Sequence, residues 1–185
     1  MGRPRRAPIL LWLLVGGWPA TAQDDPGPLE YRVKAGYLLN FARYVEWPGG
    51  PGAAEPLRIC VLGEDPFGPV LDRAVEGRTV NGRIVSAERV PRAEAASGCQ
   101  VVFVGLWDDR EERAALAALD GSPVLTVGES SGFLERGGSI QFVTVEDTVR
   151  FEVNLAAAHR AGLKISSRML SYARQVRTEA GERSP

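Results

Sequence analysis

The sequence has little of the chemistry that enzymes and metal proteins are usually built from. Its 185 residues include one histidine, two cysteines and two methionines. A site with several histidine ligands is excluded, and two Cys plus one His fall short of the four ligands of a structural zinc. Charge of one sign is not in excess: the formal net charge is −1. No strong attraction to nucleic acid or acidic lipid follows from it, and no cofactor is expected. No apolar run approaches the roughly 20 residues that cross a bilayer. The longest, Ile9 to Val15, is short, follows Arg3, Arg5 and Arg6, and precedes Ala20-Thr21-Ala22. That order of basic, apolar and small residues reads as a signal peptide over 1–22, cut after Ala22, with export to the periplasm. An uncleaved anchor is the alternative. Cleavage removes three arginines and no acid, taking the chain from −1 to −4.

What is present is ordinary globular composition, 44% hydrophobic and 24% charged, enough for a single domain with one sizeable core. Both cysteines, Cys60 and Cys99, lie in the exported part. In an oxidising compartment a pair reads first as a disulfide, and as two buried thiols otherwise.

Residues 23–28 read as a polar lead-in, 29–177 as the domain, and 178–185 as a polar tail expected to be disordered. The spacing of Val33, Leu38, Phe41, Tyr44 and Val45 predicts a helix from Leu29 to Trp47. Leu57–Leu62, Arg83–Val90, Gln100–Val104 and Pro123–Val127 read as strands. Asp65 and Pro66 are placed to cap and start a helix between the first two. Asp108 or Asp109 caps another through Leu119, with Ala114, Ala115 and Leu116 inside. Alternation of strand and helix predicts an α/β fold: a mostly parallel, three-layer arrangement with helices on both faces of the sheet. Ile140–Val145 and Thr148–Val153 flank Glu146-Asp147 as a hairpin. Two helices follow, the last burying Met169, Leu170, Ala173 and Val176.

One stretch fits a catalytic pattern. Gly128-Glu129-Ser130-Ser131-Gly132 matches the G-x-S-x-G nucleophile elbow, and Asp147 and His159 follow in the chain order of α/β-hydrolases. Against it, Gly137-Gly138 ends any helix after about a turn, and no glycine-rich oxyanion segment precedes it. The reading preferred here is a turn whose glycines permit positive φ, and the protein is expected not to be an enzyme. A parallel sheet offers a second place for chemistry, the crevice beyond the carboxyl ends of its strands. The loops after Leu62, Val104 and Val127 would line it, which makes a small-molecule-binding module the alternative function.

Five blocks resemble the YfiR family. They are the helix Val33-Lys34-Ala35 through Asn40-Phe41-Ala42 to Trp47-Pro48; Ile59-Cys60-Val61-Leu62-Gly63 with Asp65-Pro66-Phe67-Gly68; Cys99 leading into Val101–Val104; Leu125–Gly128 with Gly132-Phe133 and Gly137–Ile140; and Arg150–Asn154 with Ala161–Ser167. The resemblance implies a periplasmic α/β protein without catalytic activity that represses a membrane diguanylate cyclase through its periplasmic sensor region, and so acts in cyclic-di-GMP signalling. It further implies an outer-membrane lipoprotein as a second partner, homodimers, and Cys60 and Cys99 as a disulfide pair. A second, later cysteine pair known in the family is absent. From the residues themselves, Arg43 and Trp47 at the end of the first helix are candidates for partner binding. Arg150, Glu152 and Asn154 join them, sharing outward parity if Phe151 and Val153 point inward.

Overall fold

The computed structural model describes residues 28–48 and 55–178; the expected signal peptide, lead-in and tail beyond 178 lie outside them. The chain opens with helix α1, Leu29–Tyr44, which carries Glu30 in its first turn and Arg43 in its last, as the helix dipole favours. It ends three residues earlier than its periodicity predicts. Val45 turns extended, and Val45–Glu46 (β1) pairs antiparallel with Lys164–Ile165 (β9).

The remaining elements are β2 (Leu57–Gly63), α2 (Pro69–Val75), β3 (Thr79–Val80), β4 (Arg83–Val90), β5 (Val101–Gly105), α3 (Asp109–Leu119), β6 (Leu125–Gly128), β7 (Ile140–Val145), β8 (Thr148–Asn154), α4 (Leu155–Arg160), α5 (Ser167–Leu170) and β10 (Gln175–Arg177). Eight strands form one sheet in the order β10-β8-β7-β6-β5-β2-β4-β3. The five from β4 to β7 run parallel; β3 is antiparallel to β4 and β8 to β7, and β10 runs parallel to β8.

Alternation along the central strands sorts two cores. Ile59, Val61, Val101, Phe103, Leu125 and Val127 pack with Leu38 and Phe41 of α1 and Leu71 of α2. Cys60, Leu62, Val102 and Val104 point the other way, toward Ala115, Leu116 and Leu119 of α3. This is the expected three-layer architecture, and it makes both faces of the sheet apolar. Tyr37 and Phe41 fix α1 against the hairpin, with Phe41 and Phe151 ring centres 5.0 Å apart and Tyr37 and Phe151 5.5 Å apart. A fully buried aromatic of this kind contributes about 2–3 kcal/mol.

Four local expectations need correction. Asp65 does not start α2: its Oδ1 accepts from Phe67 N (2.8 Å) and Gly68 N (3.1 Å), and the helix begins only at Pro69, after Gly68 at φ 49°. The glycine lets Phe67 sink into the core, its ring 4.8 Å from Phe103. Val33 and Ala114, both read as inward, lie on exposed faces. Their places in the buried stripes are taken by Lys34 and Glu112. The final helix is a single turn. Ser166 Oγ caps it at Met169 N (3.2 Å), and Val176 lies instead in β10, paired parallel with β8. The predicted hairpin is present, with Glu146 and Asp147 at φ 48° and 58°, the two left-handed residues of a tight I′-type turn.

Candidate functional site

The carboxyl ends of β2, β5 and β6 are brought close by glycine. Glu64 N donates to Gly105 O at 2.9 Å, and a Cβ on Gly105 would lie 2.0 Å from the Glu64 carbonyl oxygen. No other residue fits this approach. The loops after β2 and β5 are thereby held together, and Trp107 Nε1 donates to Glu64 Oε2 at 2.9 Å. The indole stays 52% exposed.

The third loop holds the G-x-S-x-G pattern. Phe133 is fully buried, and a Cβ on Gly128 or Gly138 would strike its ring at 2.4 or 2.1 Å. The loop therefore folds over a phenylalanine plug, and its consecutive polar residues go to opposite sides. Glu129 points to the α1 side, where it accepts from Lys34 Nζ and from Tyr31 Oη (3.2 Å). Lys34 also donates to Glu30 (2.5 Å), its Nζ lies 4.6 Å from the Tyr31 ring centre, and the residue is 4% exposed. Burial pushes the Lys34 ammonium down, but hydrogen bonds to Glu129 and Glu30 outweigh it and hold its pKa above the ordinary value. Burial raises the Tyr31 phenol, and the Glu129 charge raises it further.

Ser130 faces the α3 side. Its hydroxyl bonds Glu112 and accepts from Arg136 Nη2 (3.0 Å). Arg136 also pairs with Glu112 (2.5 Å) and Asp109 (3.2 Å) and donates to Ser131 O (2.7 Å). Glu112 is fully buried. The serine is thus tied into a buried ion-pair network. Asp147 sits in the exposed hairpin turn and His159 on the exposed side of α4, and neither is a partner of Ser130. The Ser-His-Asp arrangement is not assembled.

Beyond the strand ends, Glu30, Tyr31, Lys34, Trp107, Glu129 and β7 enclose an open groove of about 460 Å³. This is the crevice that the sheet topology implied, and the loops after β5 and β6 line it as expected. The loop after β2 does not line it, and Glu64 is joined to it only as the acceptor of the Trp107 N–H.

The expected partner-binding residues are spread elsewhere. Arg43 is exposed at the end of α1. Trp47 is half-buried beside a cavity of about 200 Å³ that Arg83 also lines. Phe151 and Val153 do point inward, but the outward row is largely covered. Glu152 is 6% exposed, paired with Arg174 and 3.9 Å from Arg177. Asn154 accepts from Ala157 N (3.1 Å) to cap α4 and donates to Leu134 O (3.1 Å). Arg150 alone of the three is open to solvent. Cys60 and Cys99 form a disulfide, Cα atoms 6.1 Å apart, inside the α3-side core. Among the described residues no three His, Cys, Asp or Glu side chains cluster as a metal site, and no helix is long and apolar enough to cross a membrane.

Sequence reasoning missed Lys34, Glu129, Trp107 and Glu112. For Lys34 and Glu112 a signal was there: each is a charge at a buried-stripe position of its helix, where burial demands a partner.

A family model described as YfiR/HmsC-like matches residues 31–174. Among solved structures, a conserved domain protein from Vibrio cholerae O1 biovar El Tor superposes with a TM-score of 0.55 at 11% identity, over 80% of this chain and 60% of that one. The ABC domain in complex with L-Trp from Streptococcus pneumonia gives a TM-score of 0.47 at 15% identity, over 65% of this chain and 55% of that one. The chain thus spans about three fifths of the Vibrio protein's length, and the likeness extends to the α/β fold.

Proposed function

The chain belongs to the YfiR/HmsC-like family, and from that premise we propose that it binds and represses the extracytoplasmic domain of a membrane diguanylate cyclase. Proteins of this family are periplasmic and regulatory. The observation that carries the reading is the match over nearly the whole described domain. Two features support it. The one serine in a catalytic pattern has its hydroxyl engaged by Glu112 and Arg136. The buried Cys60–Cys99 bond suits an oxidising compartment.

The mechanism is a population shift: the regulator lowers cytoplasmic cyclic-di-GMP by preferring the inactive state of the cyclase. An outer-membrane lipoprotein that competes for the regulator would relieve the repression. The signal peptide, removed after Ala22, delivers the chain to its partner. Deleting the gene should raise cyclic-di-GMP, and restoring the exported protein should lower it again. An unchanged level in the deletion strain would refute the proposal.

A further inference from the structure

The groove at the strand ends contains a free strand edge. β6 pairs with β7 at only two positions, Val127 with Ile140 and Gly128 with Gln141. β7 then runs on to Val145, paired with β8 along its whole length. Asn154 N donates to Ser139 O at 2.8 Å, and this sets the phase of the antiparallel ladder. Odd-numbered residues of β7 turn their backbone groups to β8; Ile140, Phe142 and Thr144 turn theirs to the β6 side. Past Gly128 no strand stands there among the described residues, so the Thr144 N–H and C=O face the groove. Natural sheets usually cover or blunt such an edge. Here it is left inside a walled depression.

The walls state what could fill it. Glu30 and Glu129 against the single Lys34 leave the lining one negative charge in excess, and Glu64 behind Trp107 adds another. Lys34 is already committed to both carboxylates, so it has little to offer an incoming anion. The Trp107 ring, half exposed and pinned through its N–H, presents an electron-rich face of the kind that attracts a guanidinium. A free strand edge asks for extended backbone, and an acidic, aromatic rim asks for a cation.

We propose that this groove takes an extended, arginine-bearing segment of the partner protein, added as a strand beside β7 with its guanidinium at Trp107 and the half-exposed Glu30. The inference deepens the regulator reading by naming the contact surface, and it is tested apart from it. The probes are a capped peptide Thr-Val-Arg-Val-Thr-Val, its glutamate counterpart, and arginine methyl ester, each titrated into the ¹⁵N-labelled mature protein. The arginine peptide should shift the Thr144 amide and the Trp107 indole N–H and bind about tenfold more tightly than the glutamate peptide. Thr144→Pro removes a donor that β8 does not use, and should abolish binding of the peptide. Trp107→Ala, at a half-exposed side chain, should weaken it should the proline variant not fold. Equal binding of the two peptides, no response at Thr144, or the methyl ester binding as well as the peptide would overturn the proposal, the last in favour of a small-molecule pocket. Because these shifts are read on purified protein, their absence leaves the cyclic-di-GMP result of the deletion strain standing, and the reverse holds too.

Discussion

Glu129 and Ser130 are neighbours in sequence, yet each belongs to a different buried charge centre. On the α3 side, Ser130 closes a knot with Glu112 and Arg136 in which the carboxylate is fully buried. On the α1 side, Glu129 pairs with a buried Lys34, but the pair forms the floor of an open groove. The chemistry is the same, a carboxylate and a cation withdrawn from water. On one side the polar groups satisfy one another inside the core, and the result is a staple. On the other side half-exposed Glu30 and Trp107 remain at the rim, and the result is a surface able to meet another molecule.

That contrast can be broken experimentally. The largest effect is expected in the α3-side core. Replacing Cys60 and Cys99 by Ala removes a cross-link spanning 39 residues and should cost roughly 4 kcal/mol on the chain-entropy relation, read by urea unfolding. Arg136→Ala leaves Glu112 charged and unpaired in the core and should cost about 3–4 kcal/mol. A loss as small as that of a surface pair would show that the knot is solvated. Lys34→Met should cost less, about 2 kcal/mol, because groove water can reach Glu30 and Glu129. It should also change the alkaline limb. The pKa values of Lys34 and Tyr31 are both raised by folding. Their stabilisation is therefore complete below their unfolded values, about 10.4 and 10, and is lost as pH rises through the folded ones. Tm should fall above about pH 10 in the parent and fall less steeply in Lys34→Met. An unchanged slope would mean that the pair does not titrate as described. The smallest effect is expected at an ion pair that lies in the open. Arg89 bridges Asp65 (2.8 Å) and Asp72 (2.6 Å) in the open, and Asp72→Asn should cost less than about 1 kcal/mol, read as a small shift in thermal midpoint.

Much of the fold was legible because its signals are local. The runs at Leu57–Leu62 and Val101–Val104, the turn at Glu146-Asp147 and a helix cap at Asp108 or Asp109 all declare themselves within a few residues. The errors also have local causes. Met169, Leu170, Ala173 and Val176 fit a helical stripe, yet β8 offered an open edge that Gln175–Arg177 could pair with, and backbone pairing prevailed over periodicity. Val33 and Ala114 looked like core because they are apolar. Lys34 and Glu112 occupy the buried positions because each has its opposite charge waiting on another element. The site was half legible: the loops of the crevice followed from strand order, but nothing near Trp107 in sequence tells that its N–H meets Glu64.

From its order of residues alone, this chain specified a parallel sheet apolar on both faces, its hairpin and the membership of its family. These depend on periodicity, turn chemistry and motif order, which are written along the chain. Only the tertiary structure decided that Lys34 would find Glu129, 95 residues away, that Ser130 would serve a core network, and that β7 would outrun β6 and leave an edge. Partner choice of that kind depends on which elements the sheet brings together, and a buried charge takes whichever opposite charge the packing places beside it.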